Sequence, residues 1–128
     1  MGENSENPGI TIPSVPLENR KNLTVHSSEI TNLISSFPKL KNDAVNLEVT
    51  ALKSHLRDYI DAITTYNIND RVKAEANYQR SYKKLQKLRK YLNKDDDEVL
   101  NRYLVRIKIN MNNLNTNLPK DSVSSFNN

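Results

Sequence analysis

The sequence predicts an all-α protein: an antiparallel bundle of three long helices plus one short N-terminal helix, flanked by disordered tails. Three observations carry this. Glycine occurs only at Gly2 and Gly9, so the interior of the chain lacks the residue that tight β-turns require. Leu100, Leu104, Ile107, Met111, Leu114 and Leu118 recur at steps of four, three, four, three and four, the heptad spacing of a helix with one apolar seam. Val45, Val49, Leu52, Leu56, Tyr59, Ile60, Ile63 and Tyr66 form a second stripe at helical period, and no stretch alternates as a strand would.

The elements follow in order. Residues 1–27 read as a disordered tail, interrupted by Pro8-Gly9, Pro13 and Pro16. Its ITIPSVPL segment, residues 10–17, has polyproline-II character and suits docking on a partner groove or strand edge. Ser27 or Ser28 caps a short first helix bearing Ile30, Leu33, Ile34 and Phe37. Pro38 ends it and suits the first turn of a second helix running to about residue 66. In its front half Leu40, Ala44, Leu47 and Ala51 form an extra stripe, for which the short first helix is the expected cover. Asn69 or Asp70 caps a third helix that reaches about Asn93, with Tyr78, Tyr82, Leu85, Leu88 and Leu92 inward and Val72 and Ala76 assisting. Asp95 caps the fourth, with Glu98 completing a capping box. Pro119 closes it, and residues 119–128 read as a second tail. The expected domain is therefore residues 28–118.

Composition excludes several classes. The chain has 128 residues, enough for one domain, and no cysteine, so thiolate metal sites, disulfides and thiol nucleophiles are absent. No apolar run approaches the length of a membrane span, so no membrane insertion is expected. Myristoylation wants Ser or Thr at position 6, where Glu6 stands. Asn22-Leu23-Thr24 matches a glycosylation acceptor, but no secretion signal accompanies it. The expected location is cytoplasmic or nuclear.

Catalytic chemistry is not expected either. His26 falls in the tail, and His55 lies at the edge of an apolar face with Asp58 three residues on but no serine placed to complete a relay. An EF-hand loop starting at Asp95 would want Gly where Leu100 stands and an oxygen ligand where Val99 stands. The Glu-x-x-His pairs of di-iron bundles are absent. The sequence therefore points to no cofactor, no metal site and a protein that is not an enzyme.

Two surfaces remain as candidates. The first is apolar: a non-catalytic subunit or adaptor would bind other, helical protein subunits through Leu100, Leu104, Ile107, Met111, Leu114 and Leu118. Val105 and Ile109, about 140–180° from the seam, would form an outer contact. The second is basic. From Arg71 to Lys94 there are nine basic residues against one acidic, Glu75, whereas residues 28–70 carry four basic and six acidic. Arg80, Lys83, Lys84, Lys87, Lys90 and Lys94 share one arc opposite the leucines, with Tyr91 on the same side and Arg89 outside it. That pattern suits non-specific phosphate contacts to DNA or RNA, within a chromatin or RNA-processing complex for instance. It suits equally a solvated helix end, where the dipole favours cations, followed by an acidic helix start.

Overall fold

The computed structural model describes residues 15–119. Among them are four α-helices and no strand: α1 (Leu17–Ser36), α2 (Asp43–Thr64), α3 (Ile68–Leu88) and α4 (Lys94–Thr116), with a 3-10 turn at Arg89–Tyr91 between the last two. No described helix is long and apolar enough to cross a membrane. Consecutive helices run antiparallel. Glu48 of α2 meets Ser81 of α3, Glu75 of α3 meets Asn115 of α4, and α1 returns along α4. The α1–α4 pairing is written out in Asn19 with Asn117, His26 with Asn110, Glu29 with Arg106 and Ser36 with Tyr103.

The first helix corrects the expected one. It is 20 residues long, comparable to the others, and begins at Leu17, so the expected tail of residues 1–27 ends well before residue 27. Leu23, Ser27, Ile30, Leu33 and Ile34 make one buried stripe, which shows why Ser27 does not cap: it lies mid-helix on the inward face. Pro16 directly precedes α1, as its fixed φ allows, and Val15 before it is buried in the core. Residues 1–14 and 120–128, with most of the Pro-containing segment and of the expected C-terminal tail, lie outside the described residues.

The helix starts share one device. Asn42, Asn67 and Asn93 each stand just before a helix in extended geometry, and each side chain accepts the backbone N–H three residues on, at 2.8–2.9 Å. These caps replace Pro38, Asn69 or Asp70, and Asp95 as the expected starts. An asparagine reaches an orphan amide as well as an aspartate does, so the choice among neighbouring candidates is settled by the loops. Residues 37–42 form the α1–α2 loop, locked by Asn46, whose amide donates to the Leu40 carbonyl and accepts from the Leu40 N–H. α2 ends in a Schellman turn. Asn67 N–H reaches the Ala62 carbonyl at 2.8 Å, Tyr66 N–H reaches Ile63 at 3.1 Å, and Tyr66 takes the left-handed conformation at φ 54°.

Helix spacing follows side-chain size. Ala62 on α2, with Ala74 and Ser81 on α3, are small and buried, and α2 and α3 pack along each other more extensively than any other described pair. α1 and α4 come next. Val72 and Ala76, expected to assist the core, are exposed; Ala74 and Ser81 hold that face instead. The expected extra stripe of α2 also fails. Leu47 is 75% exposed, because α1 packs mainly along α4 rather than across the front of α2.

The core joins all four helices. Leu23 and Ile30 of α1, Leu52, Leu56 and Tyr59 of α2, Leu85 of α3, and Leu100, Leu104, Ile107 and Leu114 of α4 are without solvent exposure. Burying one such leucine or isoleucine contributes about 1.5–3 kcal/mol. Truncation also leaves a cavity, so Leu104→Ala is expected to cost about 2–5 kcal/mol in urea unfolding. The adjacent outward Val105→Ala should stay within about 0.5 kcal/mol. Tyr66→Gly should stabilise the chain by about 1 kcal/mol, because glycine enters the left-handed region without the Cβ penalty.

Candidate functional site

The six seam residues are not available to a partner. Leu100, Leu104, Ile107, Met111, Leu114 and Leu118 are all buried in the chain's own core. This removes them from the expected contact surface: the heptad seam that suits a second helix is satisfied by α1, α2 and α3. Val105 and Ile109 point the other way, 43% and 53% exposed. Val25 of α1, 60% exposed, joins them as a residue that sequence periodicity did not single out. His26 and Asn110 pair across the α1–α4 seam at 2.8 Å, and Val25 and Ile109 each precede one member of that pair. The Asn110 amide donates to the Arg106 carbonyl, which leaves its oxygen as acceptor and places the proton on His26 Nδ1. Nearby, Arg106 and Glu29 close an ion pair at 2.7 Å. The outer face is thus a small apolar patch with a fixed polar edge.

All six residues of the basic stripe are exposed: Arg80, Lys83, Lys84 and Lys87 on α3, Lys90 in the 3-10 turn and Lys94 at the start of α4. Among the described residues, two of them have side-chain partners. Lys84 reaches Glu48 at 3.3 Å, where Ser81 also donates to that carboxylate, and Arg80 donates to Asn77. Tyr91 stands among them 64% exposed, with the Lys90 ammonium 5.2 Å from its ring centre.

The stripe borders a groove. Where α3 faces α4, its residues are Tyr78 and Tyr82 rather than alanine or serine, and the ring centres sit 5.8 Å apart, edge to face. These rings hold the two helices apart and leave a groove of about 400 Å³ with Lys83, Lys87 and Gln86 on one wall and Lys108 and Asn112 on the other. The Lys108 ammonium lies 5.8 Å from the centre of the Tyr82 ring. Burial pushes the Tyr78 phenol above its usual range, with Tyr82 and Glu75 adding to the rise. Lys108 was invisible to sequence reading, since nothing in its own neighbourhood says that α3 lies beside it.

The acidic run has a structural purpose. Asp95, Asp96 and Asp97 occupy the first turn of α4, where the helix dipole favours anions. Asp96 accepts the Lys41 N–H at 2.8 Å and so ties down the α1–α2 loop. Asp97 takes a two-pronged bond from Arg89, 2.6 Å at Nε and 3.2 Å at the second nitrogen, while Arg89 also donates to Gln86 and Asn101. Arg89 is the one basic residue of this stretch outside the basic arc, and it clamps the α3–α4 turn. Its guanidinium holds the Asp97 carboxyl below the usual carboxylate range.

A second polar cluster sits at the far end of the bundle. Tyr59 donates to Asn115, whose amide donates to Glu75 at 2.8 Å. Burial pushes the Tyr59 phenol above its usual range; Glu75 adds to the rise and Arg71 opposes it. These groups satisfy one another and leave no nucleophile beside a base. Among the described residues no group of three potential ligands converges as a metal site. Searches of protein-family models, curated proteins and solved structures find no match to the chain.

The Arg89–Asp97 clamp gives a pH prediction. A carboxyl whose folded pKa is depressed stabilises the fold above its unfolded value of about 4, and loses that contribution as pH falls through the folded value. Wild type should therefore exceed Asp97→Asn in stability at pH 7, and the gap should shrink as pH falls below about 4 in paired urea titrations.

Proposed function

We propose that the protein is a non-catalytic helical adaptor or subunit that binds another protein, helical in kind, against the outer face of α1 and α4. One observation carries this reading: Val105 and Ile109 stand one turn apart on α4, exposed, on the side opposite a seam that is already filled. A solvent-facing helix side ordinarily carries polar residues, and water gains nothing from a valine and an isoleucine there. Val25 extends the patch onto α1, and the Arg106–Glu29 pair supplies a polar rim of the kind that surrounds interface cores.

Placing the contact on this face yields a sharp contrast. Ile109→Asp should leave circular dichroism unchanged and abolish retention of the partner protein from native extract. Ile107→Asp should instead unfold the chain, since a charge would replace a side chain without exposure. Loss of helix in Ile109→Asp would return that face to the core.

A second, compatible reading assigns the basic face a polyanion, the phosphate backbone of DNA or RNA. The observation favouring it is the local concentration of exposed cations along α3 and the turn after it, on a chain of net charge +4. Binding would then weaken steeply with salt, because each phosphate neutralised releases counterions. Charge reversal at Lys83, Lys87 and Lys90 should abolish it with the urea midpoint unchanged.

A further inference from the structure

We infer that the α3–α4 groove is a binding site for single-stranded nucleic acid, with bases on the partly exposed Tyr82 ring and phosphates on the lysine walls. This rests on the polyanion reading of the basic face and goes beyond it. A cationic row alone would accept any backbone, duplex or single. The groove adds a second chemistry. Tyr82 presents a partly exposed ring in it, backed by the buried Tyr78, and its walls carry Lys83 and Lys87 on α3 and Lys108 on α4. Every nucleobase has a π face, and a duplex hides it inside the stack. Only an unpaired strand presents flat apolar groups and negative charge together, which is the pairing this groove complements.

The details fit that occupant. Tyr82 is only partly buried, and the group standing over its ring is the Lys108 ammonium, 5.8 Å from the centre. A cation takes the place a base would take, and its four-carbon stem lets it swing outward to a phosphate. Farther along, Lys87 and Lys90 lead to Tyr91, exposed and with Lys90 beside its ring. Tyr91 lies about 14 Å from Tyr82 along the helix axis and on the basic arc, where it offers a second ring to a strand that follows the lysines out of the groove. An acidic peptide would match the lysines but would leave both rings unused.

The test is fluorescence anisotropy on the full chain with a labelled oligothymidylate of roughly 16 nucleotides and a duplex of equal length, at low and moderate salt. The expected result is binding to the single strand at least about tenfold tighter than to the duplex. Tyr91→Ala and Tyr82→Leu should each weaken single-strand binding by about tenfold and leave duplex binding unchanged. Tyr91→Ala is the variant that cannot disturb the core, and circular dichroism checks Tyr82→Leu. Equal affinity for both probes, or tyrosine variants without effect, would overturn the inference while leaving the phosphate reading in place. Displacement of the single strand by polyglutamate at equal charge concentration would overturn it in favour of an acidic peptide. Failure of the chain to bind either probe at low salt would remove both the inference and the reading beneath it.

Discussion

The packing of the α4 seam against the interior faces of α1, α2 and α3 is the constraint from which the other features follow. Leu100, Leu104, Ile107 and Leu114 are fully enclosed, and their partners, Leu52 and Leu56 of α2, Leu85 of α3 and Leu23 and Ile30 of α1, are enclosed with them. One such cluster in a chain of 128 residues leaves no second core to build from. Once the seam is turned inward, the opposite side of α4 must face water, and Val105 and Ile109 with it. The same orientation sets Lys108 and Asn112 opposite α3 and makes α4 one wall of a groove.

The bundle is unequal around its circumference, and side-chain volume explains where. Ala62, Ala74 and Ser81 let α2 and α3 close together, whereas Tyr78 and Tyr82 wedge α3 away from α4. The polar bonds then fix ends rather than faces. Arg89 and Asp97 clamp the α3–α4 turn, Asp96 holds the α1–α2 loop, and Tyr103 donates to the Ser36 carbonyl while its ring stacks on Phe37 at 4.6 Å. Charged side chains with such partners are structural. Among the described residues Lys84 alone of the exposed stripe lysines of α3 has such a partner, which is what separates a candidate binding face from a helix terminus decorated for the dipole.

Much of this was legible in the sequence. The all-helical class, the seam from Leu100 to Leu118 and the stripe from Val45 to Ile63 are local periodicities, and local periodicity reports which residues of one helix share a face. It does not report what covers that face. Leu47 looked inward because Ala44 and Ala51 flank it at helical spacing, yet no described helix crosses it. Ser27 looked like a cap because prolines precede it, yet Leu23 extends the buried stripe by two turns. Asp95 was read as the cap of α4; the bond from the Asp96 N–H to the Asn93 side chain sets the start two residues earlier. The Arg89 clamp and the Lys108 wall depend on which helices become neighbours, information that single-helix patterns do not contain.

The bundle depends on the seam being completed within one chain. Urea unfolding of the isolated protein, followed by circular dichroism over a hundredfold range of concentration, tests that directly. A core closed by α1, α2 and α3 predicts one cooperative transition whose midpoint is independent of concentration. A midpoint that rises with concentration, or the absence of a cooperative transition in the isolated chain, would place the seam between chains and contradict it.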